Sequence, residues 1–298
     1  MKLSRRTKKI LAAAVLISSA VMMAGCTVPR DSSGNIILIE RATSFSDIFH
    51  SENWFSAIFV WPLAQFINIL APRIGVGGAI ALITILINGI LAIATLKSTI
   101  STQEMQLIQP EVARIQRKYE GRDDRNSQMK MAAEMQKLYA EHDIHPMGTM
   151  VVTFIQLPIL MAMYMAVERS YEVYHGTFLG VNLQTTPWKG MSSGHWMYLV
   201  IFLIMTLCQT LSMFVPQWLS KQRAKKEAEK HHRKPDTGND RQQKIMQIYM
   251  LVMVVIFGLT LPSAMAVYWT FNSLVNVVKT LLVQKYIDKK QAEKEGAR

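Results

Sequence analysis

Apolar residues in this chain fall into blocks of about membrane length, separated by charged segments. The blocks cover residues 76–96, 148–167, 196–215, 245–261 and 264–283. About 20 apolar residues at 1.5 Å rise cross roughly 30 Å of hydrocarbon. The pattern predicts an all-α membrane protein with five transmembrane helices. A sixth apolar run, residues 53–70, is rich in aromatics. Its Trp54 and Trp61 suit a membrane interface, and Pro62 interrupts a helix. It reads either as a full span or as a helix lying on the outer surface. Counting it as a span reverses every later loop and puts the most basic ones outside, so it is assigned as an outer interfacial helix.

The connecting segments differ in character. In residues 97–145, Ser101-Thr-Gln-Glu104 resembles a capping box and Pro110 sits near a helix start. Met105, Ile108, Val112 and Ile115 recur at helical spacing, Gly121-Arg122-Asp123-Asp124 makes a turn, and Met131, Met135 and Leu138 mark a second amphipathic helix. The prediction is a helical hairpin. Residues 169–195 form an outer loop. Residues 217–244 are the most basic internal loop, with Lys221, Arg223, Lys225, Lys226, Lys230, Arg233 and Lys234. Pro262 and Ser263 make a tight turn, and residues 285–298 form a charged, mostly basic tail.

Charge sets the orientation. The 298 residues carry 33 Lys and Arg against 21 Asp and Glu, a net +12. Most of the basic residues fall after the first and third spans and in the tail, whereas the outer loop holds only Arg169 and Lys189. This positive-inside asymmetry places the amino end outside and the carboxyl end in the cytoplasm. The amino terminus agrees. Lys2, Arg5, Arg6, Lys8 and Lys9 precede a short apolar run, as in a secretory signal. Met23-Ala24-Gly25-Cys26 then resembles a bacterial lipobox. On that reading residues 1–25 are a signal peptide, Cys26 carries covalent lipid, and the protein is an anchored, multi-pass protein of the bacterial cytoplasmic membrane. The alternative is an uncleaved anchor with an incidental cysteine. Residues 26–52 are mixed and polar and read as an extracytoplasmic tether with little structure.

Candidate chemistry is sparse. There is no Walker loop, dinucleotide fingerprint or HExxH motif, and the two cysteines show no metal-ligand spacing. The expectation is a protein that is not an enzyme and uses no metal or other cofactor. What stands out is polar side chains within the spans: Thr84 and Asn88, Gln156, Gln209 in a line with Thr206 and Ser212, then Trp269 and Asn272. No basic residue is read at the middle of a span. Buried amides either bond neighbouring helices, each for about 0.6–2 kcal/mol, or line a wet cavity. The set as a whole points to a hydrophilic groove within the bilayer.

Several short motifs together resemble the YidC/Oxa/Alb membrane protein insertase family, in its five-span bacterial form with a lipoprotein signal. They are Gln109-Pro110-Glu111 with Ile115-Gln116-Arg117-Lys118-Tyr119, then Phe154-Ile155-Gln156-Leu157-Pro158-Ile159-Leu160. Phe178-Leu179-Gly180-Val181-Asn182-Leu183 and Leu261-Pro262 before Tyr268-Trp269 follow. The likeness runs from about residue 55 to 285. It implies an insertase core over residues 53–284, with a groove open to cytoplasm and lipid, a cytoplasmic hairpin, and ribosome contact through basic loops and tail. The family's first-span arginine falls at Asn88, so this chain departs from the pattern there. Its groove glutamine matches Gln209 and its groove aromatic matches Trp269. The Asn that usually precedes the proline opening span two is His145 here.

The implied function is insertion and folding of newly made membrane proteins without nucleotide hydrolysis. Implied partners are nascent membrane proteins, the ribosome and the Sec translocon, but not DNA. The basic stretch of residues 221–234 suits anionic lipid as well as ribosomal RNA. Two other readings stand beside it: a small-solute transporter or channel, and a packing chaperone that inserts nothing.

Overall fold

The structure, a computed structural model, describes residues 28–122, 124–142, 144, 146–230 and 240–296. It is almost wholly helical. In chain order the elements are α1 (Phe45–Ser51), a π-helical turn (Ser56–Val60), α2 (Trp61–Ala94), α3 (Leu96–Leu107), α4 (Gln109–Lys118), α5 (Arg125–Glu141), α6 (Pro146–Arg169) and α7 (Tyr171–His175). A two-stranded hairpin follows, β1 (Thr177–Phe178) and β2 (Val181–Asn182). The chain continues with α8 (Pro187–Ser192), α9 (Met197–Lys230), α10 (Asp240–Thr260) and α11 (Ser263–Gly296). Among the described residues three helical stretches are long and apolar enough to cross a membrane: Ser56–Ala94, Met197–Gln222 and Ser263–Lys289. The chain divides into two compact units.

The first unit comprises Met1–Ala79, Pro158–Phe178 and Asn182–Gln184. Its apolar core joins Ile39, Ile48, Ala57, Val60 and Ala64 to Ala162, Met165 and Ala166. The described part of the expected tether is ordered. Ile39 is fully buried and pairs in parallel with Ser170. Three donors on one face of α2 capture this stretch. Trp61, Gln65 and Asn68 stand at i, i+4 and i+7, so they share a side of the helix. Trp61 Nε1 donates to the Thr43 carbonyl at 2.9 Å, Gln65 Nε2 to that of Glu40 at 2.7 Å, and Asn68 Nδ2 to that of Ile39 at 2.6 Å. Asn68 Oδ1 in turn accepts from Ser170 Oγ at 2.6 Å. Polar composition pointed to an unstructured tether. The backbone groups instead find fixed partners, so the segment holds one conformation. Helix α1 follows, closed by a capping box in which Ser44 and Asp47 bond each other's backbone N–H.

Arg169 also departs from expectation. It ends α6 rather than lying in a loop, and its side chain is fully buried. Two guanidinium nitrogens donate to the Glu52 carboxylate at 2.8 and 2.5 Å, and Nε donates to the Ile37 carbonyl at 2.9 Å. Pro62 does not interrupt the helix either. The wider π-helical turn just before it moves aside the carbonyl that a proline ring strikes in a regular helix. The break comes instead at Gly75, with φ 76° and ψ 159°, between the run assigned to the interface and the first span. Only glycine adopts that backbone without strain.

The second unit comprises Ile80–Leu157, Leu179–Val181 and Thr185–Arg298. Helices α9 and α11 pack along each other, with α3, α8 and α10 against α9. Gly258 of α10 meets α9 closely; a Cβ there would run into Met205 and Phe202. The hairpin forms as expected from α4 and α5, around Ile108, Val112, Leu138 and Ile144, with Met105, Ile115 and Met135 at the edge. Gly121, at φ 76°, makes the turn, and Asp124 caps α5 by accepting from the Ser127 N–H at 2.8 Å. Ser101 and Glu104 lie inside α3 rather than at a helix start, so they form no capping box.

Two helices outrun their apolar blocks. Helix α9 continues through Lys230 and α11 through Gly296, so much of the expected basic loop and tail is helical. Lys, Gln, Arg, Ala and Glu are strong helix formers, and nothing in Ser220–Lys230 stops the helix. Lys221, Arg223, Lys225 and Lys226 therefore sit on α9. Cys26, His145, Arg233 and Lys234 lie outside the described residues.

Candidate functional site

A polar seam runs along α11 within the second unit. Asn88 of α2 donates through Nδ2 to Asn272 Oδ1 at 3.1 Å and to the Thr84 carbonyl at 2.9 Å. Both amide protons are thus used. Thr84 bonds its own helix, donating to the Ile80 carbonyl at 2.6 Å. Asn88 is 5% exposed and Thr84 not at all. These two were expected to face water. The structure buries them, because their donors are consumed by the helix and by Asn272. One residue further along α11, Ser273 Oγ donates to Gln209 Oε1 of α9. Three apolar helices are therefore tied at one level by two side-chain pairs.

The sequence-predicted residues divide accordingly. Asn88, Asn272 and Gln209 are brought together around α11. Asn272, Gln209 and Trp269 are half-buried, which leaves polar surface at the edge of the seam. Gln156 is half-buried and makes no hydrogen bond to a described residue. Trp269 stands one turn before Asn272 and likewise makes none. The hydroxyl of Thr206, one turn before Gln209 on α9, is buried without a partner among the described residues.

Further bonds continue the seam along α11. Gln103 Nε2 of α3 donates to the Thr280 carbonyl and to Gln284 Oε1, both at 3.0 Å. Ser220 of α9 donates to the Gln106 carbonyl of α3 at 2.8 Å, and Gln247 of α10 bonds Gln217 of α9. In hydrocarbon such bonds hold helices that gain little from apolar contact alone. At the other end, Ser263 Oγ donates to the Thr185 carbonyl at 2.6 Å and anchors the start of α11. Ser273 is legible as a polar residue of the last span, but sequence reading missed Gln103, Gln284 and Lys279. The last is a cation inside the apolar part of α11, where no basic residue had been read. Its spacing of seven from Asn272 was the available signal.

The hairpin carries the clearest charge cluster. Lys118 Nζ and the Tyr119 hydroxyl donate to Glu134 Oε1 at 2.6 and 2.8 Å. The lysine bond, then the tyrosine bond, hold the Glu134 carboxyl below its usual range. The same carboxylate raises the Lys118 ammonium and the Tyr119 phenol above theirs.

A family model described as 60Kd inner membrane protein matches residues 69–291. The chain belongs to that family. The matched stretch contains every member of the seam and the whole hairpin. Among curated relatives, the "Membrane protein insertase YidC 2" of Bacillus anthracis is 26% identical over 279 residues, 93% of this chain and 94% of that one. The "Membrane protein insertase MisCA" of Bacillus subtilis (strain 168) is 25% identical over 252 residues, 83% of this chain and 85% of that one. A solved structure titled "Active YidC insertase crystal structure with the first transmembrane domain resolved" aligns with TM-score 0.51 at 21% identity. That alignment covers 77% of this chain and 47% of the solved one, so this chain spans about half that protein's length. The two chains share a fold, and the family match agrees with the resemblance drawn from the sequence motifs.

Proposed function

We propose that this chain is a membrane protein insertase of the bacterial cytoplasmic membrane. It lowers the barrier that polar segments of newly made membrane proteins meet in hydrocarbon. The observation that carries this reading is the polar seam: Asn88–Asn272 and Gln209–Ser273, set among apolar helices within the family-matched residues. The names of the relatives support it.

A charged side chain at the centre of a membrane helix costs about 2.5–3.5 kcal/mol on insertion scales. Each unpaired backbone group adds several more. Half-buried amides such as Asn272, Gln209 and Gln156 replace some of the lost water. Asn88, with both donors used, positions the Asn272 oxygen rather than hydrating a passing chain itself. The apolar part of the substrate then moves sideways into lipid. Every step is solvation and packing, so no nucleotide is needed.

The proposed layout is five spans, amino end out with lipid on Cys26, carboxyl end in, and the α4–α5 hairpin in the cytoplasm. A groove opens from the seam to the cytoplasm. The basic face of α9 beyond Ser220 meets anionic lipid or ribosomal RNA, and the Sec translocon is a candidate partner. The positive-inside count supports this orientation.

The test is reconstitution. Vesicles holding the purified protein, without nucleotide, should insert a single-span substrate, scored by protease protection. Replacing both Asn272 and Gln209 with Leu should cut the yield about tenfold while the protein stays folded. Vesicles that conduct ions yet insert nothing would favour a channel. Full insertion by the double variant would remove the seam from the mechanism.

A further inference from the structure

Glu168 lies just past the second apolar block, near the end of α6 in the first unit. It is 5% exposed, and its Oε1 is buried without a partner among the described residues. Ser56 Oγ and Thr206 Oγ1 share that condition, but of the three only the Glu168 side chain is a carboxyl. The residues after it hold the amino-terminal stretch. The Ile39 N–H donates to the Arg169 carbonyl at 2.7 Å, and the Tyr171 N–H to the Ile39 carbonyl at 3.3 Å. Val28 packs on the same apolar core as Tyr164, one turn before Glu168. Between Val28 and Ile39 the chain makes a tight turn. Asp31 accepts there from the Ser33 and Asn35 N–H groups at 2.9 and 2.8 Å, and the Arg30 guanidinium donates to the Gly34 carbonyl at 2.7 Å.

A buried carboxylate needs a cation or several donors; without them the neutral acid is favoured. Burial pushes the Glu168 carboxyl up to about 7, and the nearby charge of Arg30 offsets this only in part. The other groups around it are committed or exposed. Arg169 is matched by Glu52, Glu172 of α7 by Arg41, and Asp47 of α1 by its capping box. Glu40, His50, Arg73 and His175 are exposed, and Tyr164 offers only a phenol. Residues 182–184 carry no charge, and Gln184 donates to the Glu168 backbone carbonyl at 3.4 Å. We propose that Glu168 is a proton-operated latch for the amino-terminal stretch. The neutral carboxyl lets residues 28–39 seat on the end of α6. Loss of its proton to water leaves a buried anion, which draws Arg30 off the Gly34 carbonyl, opens the turn and loosens the seat. The latch works in either orientation; on the amino-end-out layout proposed above, it reads the pH outside. The sign follows from the raised value: the stabilisation is complete below the ordinary carboxylate range and is lost as pH rises from there through about 7.

Two readouts on the purified full-length protein in mixed micelles test this. The first is hydrogen exchange of residues 28–39 between about pH 4.5 and about pH 8.5, corrected for the intrinsic pH dependence of exchange. Protection should fall about tenfold or more across the lower part of that range and level off above about 7. Glu168→Gln, neutral at every pH, should hold the acid level of protection throughout. The second is infrared titration of the protonated carboxyl band. One carboxyl should lose its proton with a midpoint of about 7, and Glu168→Gln should remove that band. Arg30→Gln withdraws the cation that favours the anion, so it should raise the midpoint. Protection that does not change with pH overturns the proposal. So does a response that survives in Glu168→Gln, which would belong to His50 or His175. If Glu168→Gln does not fold, the infrared titrations of the wild type and Arg30→Gln decide. A wild-type midpoint in the ordinary carboxylate range, or one that Arg30→Gln leaves in place, overturns the latch.

Discussion

Replacing Glu52 with Gln should destabilise the first unit by about 3 kcal/mol. Arg169 is fully buried and the Glu52 side chain is 9% exposed, so little water reaches the pair. The carboxylate takes two guanidinium protons, at 2.8 and 2.5 Å. The amide of Gln offers one oxygen in their place and no charge. The guanidinium would then be buried with its charge uncompensated, and breaking a buried pair from one side costs about 3–5 kcal/mol. Removing both partners is a different perturbation. Glu52→Leu with Arg169→Met deletes both charges, and apolar replacements of buried pairs are commonly near neutral. The Ile37 carbonyl still loses its Nε donor, so a residual cost of about 1 kcal/mol is expected. In a cycle of Glu52→Leu and Arg169→Met, each change alone costs about 3 kcal/mol, so the coupling should be about 5 kcal/mol. Equilibrium unfolding in mixed micelles measures the free energies. Limited proteolysis of residues 28–52 reports locally, since Arg169 also holds Ile37. A cost below about 1 kcal/mol for Glu52→Gln, with no coupling in the cycle, would refute the reasoning.

Gly75→Ala should cost about 1–3 kcal/mol, because an L side chain is strained at φ 76° and ψ 159°. No neighbour lies within 4 Å of a Cβ there, so the cost is backbone strain alone; unfolding in micelles measures it, and an unchanged midpoint would refute it. The α4–α5 hairpin should be most protected between mild acid and mild alkali. Glu134 titrates below its usual range, so its contribution is present above that range and is lost as pH falls through the lowered value. Lys118 and Tyr119 titrate above theirs, so their contributions are lost as pH rises through the raised values. Hydrogen exchange in Gln109–Lys118 and Arg125–Glu141 checks both limbs, and Glu134→Gln should flatten the acid limb.

Much of the architecture is legible because it is periodic. The apolar blocks mark α9, α10, α11 and the second half of α2. Met105, Ile108, Val112 and Ile115 line the hairpin core that their spacing implies. Even the break in α2 falls where two apolar runs meet, at a glycine. Helix ends are less legible, since Ser220–Lys230 has no stop signal and continues the helix into water. The polar span positions announce themselves, but their pairing does not: Asn88 and Asn272 are 184 residues apart, and nothing local encodes that meeting. The same holds for the amino-terminal stretch. Its binding depends on Trp61, Gln65 and Asn68 reaching backbone carbonyls, which carry no side-chain signature.

The Glu52–Arg169 pair also sets a schedule for biogenesis. Its two members are 117 residues apart in the chain. At about 5–20 residues per second of synthesis, roughly 6–25 s separate their emergence. Through that interval Glu52 has no guanidinium, and Ile39 has no Ser170 to lie against. The beginning of the chain therefore waits, hydrated or held by other factors, until the ribosome has delivered the far end of α6.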